Sequence, residues 1–155
     1  LTKLTDDTEI QNIWDFARNN IDGLKTKPAV IPSGAGATVK LLSEQYMLGI
    51  VTNRIRITVY EPPLDTLRLY FKISVAYEDT KNHKPHPEPL LLAAEKLGLS
   101  PDECVYIGDA ETDMQASIAA GIHFIHFGSI PLAGAKYSIR SFKELPTIIQ
   151  TLSEH

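Results

Sequence analysis

Cysteine is almost absent from this chain, and so is any long apolar run. One cysteine, Cys104, among 155 residues rules out an internal disulfide. It precedes an apolar strand pattern, where a lone thiol reads as a small buried hydrophobe. No stretch approaches the roughly 18 apolar residues that a membrane span needs. Nothing at Leu1 has the charged-then-apolar pattern of a signal peptide. A reducing, cytoplasmic setting with no membrane partner is expected. Basic charge is scarce as well: 15 Lys and Arg against 19 Asp and Glu give a formal net charge of −4. No basic run offsets it, which argues against a nucleic-acid partner. The first residue is not methionine, and a further N-terminal piece is expected.

What remains is the composition of a globular protein, 43% hydrophobic and 22% charged. The length suits one ordinary core and is short for two. Ile10, Ile13, Trp14 and Ala17 recur at helical spacing, so residues 1–27 read as a helical arm and 28–155 as the core. Pro28, Pro32, Gly34 and Gly36 form a connector, followed by a short helix from Thr38 to Gln45. Tyr46 to Thr52 is a continuous apolar run, the pattern of a strand buried on both faces. Pro62-Pro63 interrupts Arg54–Tyr70, whose second half reads as helical. Further strands are expected at Phe71–Ala76, Cys104–Ile107 and Ile122–Phe127. A helix over Glu88–Leu97 starts with prolines and stops at Gly98. Ser100 and Glu103 have capping-box spacing, Thr112–Ala120 is a helix closed by Gly121, and Ser141–Leu152 is a last surface helix. Strands alternating with helices define an α/β fold with a parallel sheet covered on both faces.

The chemistry concentrates where strands end. A strand ending in Gly108-Asp109 puts a carboxylate at the carboxyl edge of the sheet, where open α/β folds bind ligands. Asp113, four residues on, opens the next helix; it can cap that helix, orient a metal-bound water or fix Lys84. Mg²⁺ suits such a pair, since it takes oxygen ligands from one or two carboxylates, waters and a substrate phosphate. Lys84 precedes Pro85, which disfavours a helical lysine and aims its ammonium away from the helix, suited to a phosphate. His83 and His86 flank it without the matched partners of a metal site. Thr52 and Asn53 close another strand and can offer a hydroxyl and backbone N–H groups to a phosphoryl oxygen, or simply complete a turn.

In this order the pieces resemble the haloacid dehalogenase-like (HAD) hydrolase superfamily, nearest to its phosphoglycolate-phosphatase-like branch. Leu48-Gly49-Ile50-Val51-Thr52-Asn53 resembles the family's second motif. Lys84-Pro85-His86-Pro87-Glu88-Pro89 resembles the third, and Gly108-Asp109 with Asp113 the fourth. Ala119-Ala120-Gly121 ahead of an apolar strand fits too, and the likeness covers roughly residues 30–150. It implies a Rossmann-like core and Mg²⁺-dependent phosphoryl transfer through an aspartyl-phosphate, acting on a small phosphorylated metabolite. It assigns substrate phosphate to Thr52, Asn53 and Lys84, metal to Asp109 and Asp113, and catalytic roles to Lys84 and Asp113. The Gly-Asp form favours phosphatase over carbon–halogen cleavage.

One family element is not found. The first motif, an apolar strand ending Asp-x-Asp, carries the nucleophile; Asp6-Asp7-Thr8 has the wrong spacing and follows no buried strand. That strand would run between those ending at Thr52 and Ile107, so two unpaired interior edges are expected. Without it no phospho-enzyme can form, and the chain alone is expected to be inactive. The favoured reading is the C-terminal part of a phosphatase, with the Trp14 helix as the end of a cap. A strand lent by another polypeptide and a noncatalytic phosphate-binding or regulatory remnant are the alternatives. An unrelated receiver-like domain would not need Lys84-Pro85-His86-Pro87 and Gly108-Asp109 together. Nothing in the sequence sets an oligomeric state.

Overall fold

The computed structural model describes residues 30–154; the 1–27 arm and its Trp14 helix lie outside them. The chain runs α1 (Ala35–Ser43), β1 (Leu48–Val51), β2 (Phe71–Val75), α2 (Glu88–Leu97), β3 (Val105–Gly108), α3 (Glu111–Ala120), β4 (His123–Phe127), β5 (Tyr137–Ile139) and α4 (Leu145–Ser153). Between β1 and β2 lie 3₁₀ turns at Arg56–Thr58 and Leu64–Tyr70 in place of a longer helix. Among the described residues no helix is long and apolar enough to cross a membrane.

All strand pairing is parallel, in two separate ladders ordered β1-β2 and β3-β4-β5. β1 and β3 therefore each keep one edge unpaired among the described residues. The Val51–Thr52 peptide shows which way the β1 edge faces. Its N–H donates to the Val75 carbonyl of β2 at 3.0 Å. Its C=O must then point the opposite way, where it accepts from the Tyr106 hydroxyl of β3 at 3.2 Å. The open edge of β1 faces β3, and the Tyr106 side chain reaches across between them.

Side chains alternate across β3 and divide the core in two. Val105 and Ile107 pack with Leu42 of α1, Ile125, Ile139 and Leu145. Tyr106 packs the other way, with Leu90 of α2, Ala116, Ala120 and Ile122. Helices thus cover both faces. Ile125 and Ile139 are 0% and 1% exposed, and burying each contributes about 1.5–3 kcal/mol. The last helix is a surface element, as its sequence suggested: Leu145, 2% exposed, is its one buried residue, and Ile148, Ile149 and Leu152 are partly buried against the core. α1 begins three residues ahead of the expected Thr38, taking in Gly36, with Gly34 left-handed just before it (φ 80°). α2 matches its expected bounds and ends on Gly98 at φ 70°, a conformation open to glycine at little cost. Glu103 accepts from the Ser100 N–H at 2.9 Å, completing the expected cap.

Candidate active site

Asp113 organises the site. It sits in the first turn of α3 and is 5% exposed. Its Oδ2 accepts the backbone N–H groups of Asp109 and Ala110, both at 3.2 Å. Its Oδ1 accepts from Lys84 Nζ at 2.6 Å and lies 3.4 Å from the Tyr106 hydroxyl. Two of the three roles that its position suggests, capping the helix and fixing the lysine, are therefore filled, one oxygen each. An ionised carboxylate has the lone pairs for this.

The close fit around Asp113 sets the residue at the end of β3. A Cβ on Gly108 would lie 2.6 Å from Asp113 Cβ and Oδ2, closer than real carbon contacts allow. Glycine is needed there for the approach of α3. Asp109 follows at the turn, exposed, with its carboxylate free of partners among the described residues.

Lys84 reaches the cluster from the loop before α2, and its side chain is 11% exposed. Burial pushes its pKa down, but Tyr106 and Asp113 more than reverse this and leave it raised above 10.5. The lysine is held as a cation. Its loop is braced: Glu88 accepts from Lys81 N–H, Asn82 N–H and Asn82 Nδ2. His83 stacks on Tyr77 with ring centroids 3.7 Å apart, and His86 Nδ1 accepts from the Glu88 N–H at 3.1 Å. Both histidines thus serve the loop. No cluster of three or more His, Cys, Asp or Glu side chains forms among the described residues.

Tyr106 is the residue that sequence reasoning passed over. Its hydroxyl accepts from Lys84 Nζ at 2.9 Å and faces the Val51 carbonyl at the end of β1. Burial raises its pKa, with Lys84 pulling the other way, so the phenol stays neutral. A tyrosine in an apolar strand two residues before Gly-Asp was the available signal, because a buried phenol needs a hydrogen-bond partner. Thr52, next in chain to Val51, adjoins this network; its Oγ1 accepts from the Arg54 N–H at 3.1 Å. Asn53 beside it is exposed. Lys84 and Asp113 thus meet directly, Asp109 adjoins them through its backbone N–H, and Thr52 and Asn53 follow in chain the Val51 carbonyl that Tyr106 reaches.

A parallel α/β layer places a lysine, two acids and a threonine along its carboxyl edge, where such folds bind ligands. The chain belongs to the haloacid dehalogenase-like hydrolase family, whose model matches residues 2–127. It is 38% identical over 94 residues to the phosphoglycolate phosphatase of Escherichia coli, covering 59% of this chain and 37% of that one. The match to the phosphoglycolate phosphatase of Salmonella typhi is 45% over 76 residues, 48% of this chain and 30% of that protein. The chain thus spans about a third of the length of these curated relatives. Among solved structures, a HAD-superfamily hydrolase of subfamily IA from Geobacter sulfurreducens superposes with TM-score 0.69 at 30% identity, covering 77% of this chain and 56% of that one.

Proposed function

We propose that the chain carries the phosphate- and metal-binding part of an Mg²⁺-dependent phosphomonoester hydrolase acting on a small phosphorylated metabolite in the cytoplasm. The observation that carries this reading is the Lys84–Tyr106–Asp113 network, with Asp109 free beside it at the sheet edge. In this reading Lys84 neutralises the substrate phosphate, held in place by Asp113 and Tyr106. Thr52 Oγ1 and the Asn53 amide take phosphoryl oxygens, as donors waiting where negative charge develops. Asp113 is a positioning residue through its contacts, as well as a candidate metal neighbour. The donor chemistry suits Mg²⁺, an oxygen-seeking ion: an exposed carboxylate at Asp109 with a second acid behind it. Bound there, the ion would offset charge on the phosphoryl group.

The attacking carboxylate of the family's scheme would ride on a strand seated between the facing edges of β1 and β3. The 155-residue chain alone is then expected to bind phosphate without hydrolysing it. The test is hydrolysis of an aryl phosphate in Mg²⁺ by the protein with such a strand joined ahead of Leu1. Turnover that is lost in Asp109→Asn and Lys84→Met supports the reading. Full activity in Asp109→Asn, or turnover by the chain with no strand added, contradicts it.

A further inference from the structure

Tyr106 and Asp113 fix the Lys84 ammonium, but a lysine stem is long and flexible, so the place of its backbone matters as much. That backbone lies in a loop, residues 80–87, outside any strand or helix. What closes the loop is Glu88, the first residue of α2. Its Oε1 accepts from the Lys81 N–H at 3.0 Å, and its Oε2 accepts from the Asn82 N–H at 3.0 Å and from Asn82 Nδ2 at 2.7 Å. These donors all lie six or seven residues back in the chain, none of them in α2, so the carboxylate does more than cap its own helix. The Glu88 N–H donates to His86 Nδ1 at 3.1 Å, and the His86 N–H to the His83 carbonyl at 2.9 Å. Lys84 is thus enclosed by a loop whose two ends one carboxylate ties together.

α2 is itself seated in the core. Pro89 and Leu90 are buried, and Leu90 belongs to the cluster on which Tyr106 packs. Glu88 therefore passes the position of the core on to the loop. The Lys81 N–H, and after it the Asn82 side chain, hold the Glu88 carboxyl below its ordinary range, the mark of hydrogen bonds made to the ionised form. Resting on the phosphatase reading above, we propose that Glu88 is a positioning residue for phosphate binding, acting through Lys84. By tying residues 81 and 82 to the start of α2, it sets the point from which the ammonium meets the anion. In this role it touches neither phosphate nor metal, so its effect must vanish when the lysine is removed.

A double-mutant cycle, read by calorimetric titration of inorganic phosphate in Mg²⁺, tests this. Glu88→Gln keeps the shape but sets an amide against backbone donors. It should weaken phosphate binding roughly fivefold, within the range of couplings inside one network. In the Lys84→Met background the same change should leave affinity within about twofold. Glu88→Asp keeps the carboxylate on a shorter stem and should fall between wild type and Glu88→Gln. A second readout needs no binding: acetylation of Lys84 in the folded chain, mapped by mass spectrometry against exposed Lys40. Lys84 should react several-fold faster in Glu88→Gln, with Lys40 unchanged. Unaltered phosphate affinity in Glu88→Gln, an equal loss in both backgrounds, or unaltered Lys84 acetylation overturns the positioning role while the phosphate site stands. Failure of the folded wild-type chain to bind phosphate overturns the phosphate site, and this inference with it.

Discussion

The two ladders end on the same edge of the molecule, yet they end differently. β3 passes into α3 through a turn in which Asp113 holds two backbone N–H groups, the lysine ammonium and Gly108 at contact distance. β1 passes through exposed Arg54 into 3₁₀ turns that carry exposed Arg56, Arg68 and Leu69, the last 75% exposed. The β3 end is a saturated network, and substitutions there should cost stability and binding together. The β1 end is open, and substitutions there should change what is bound at little cost to the fold. On the proposed reading, the preorganised charge serves the phosphate common to all substrates, and the open end faces the part of the ligand that varies.

The largest contrast should come from the two aspartates. Asp113→Ala strands the buried Lys84 ammonium, and breaking such a pair costs about 3–5 kcal/mol. Asp109→Ala removes an exposed group with no partner and should stay within about 0.5 kcal/mol. Urea unfolding separates these, and phosphate affinity in Mg²⁺ should fall in both. Equal stability losses would erase the distinction between positioning and binding acids. Next, Gly108→Ala forces a methyl against Asp113 and should cost about 1–3 kcal/mol. Gly49→Ala on β1 presses mainly on the Ile73 side chain, Cδ1 and Cγ1, which can shift, so it should cost less in the same assay.

Tyr106→Phe removes the hydroxyl that joins the ladders, leaving the Val51 carbonyl and one lysine proton unpaired. A cost of about 1–3 kcal/mol is expected by thermal or urea unfolding; no change would mean that the bridge is incidental. The pH dependence is finer. Lys84 has a raised pKa, so its contribution is intact below its ordinary value of 10.5 and is lost as pH rises through the folded value. Stability should decline above pH 10.5, and Lys84→Met should flatten that part of the decline. Among the variants that lose a contact, Glu103→Ala is the mildest: it removes a cap from an exposed turn and should cost about 0.5–1 kcal/mol by melting.

Punctuation made much of this fold readable. Pro87, Pro89 and Gly98 bracket α2, Gly121 ends α3, and Ser100 with Glu103 fixes the turn before β3, because each acts through its own backbone geometry. β5 was missed because three residues after a glycine-bearing loop carry no periodicity, and only Ile139 of them is buried. α4 reads as a surface helix and is one, but the sequence could not show that its apolar face shares a cluster with Leu42 and Leu48, which lie far earlier in the chain. The same limit applies at the site. Lys84, Asp109, Asp113, Thr52 and Asn53 stand at strand ends, where position alone suggests chemistry. Tyr106 is inside a strand and Glu88 opens a helix, and their relevance depends on the partners that folding brings to them.

The central claim is that Lys84 and an ion at Asp109 act on one anion beside Thr52. Calorimetric titration of inorganic phosphate into the chain, with and without Mg²⁺, tests it through the coupling between the two cations. Mg²⁺ should tighten phosphate binding to the wild type and to Lys84→Met, from different starting affinities, and have no effect on Asp109→Asn. Phosphate binding that ignores Mg²⁺ in every variant, or that survives Lys84→Met unchanged, would contradict the account.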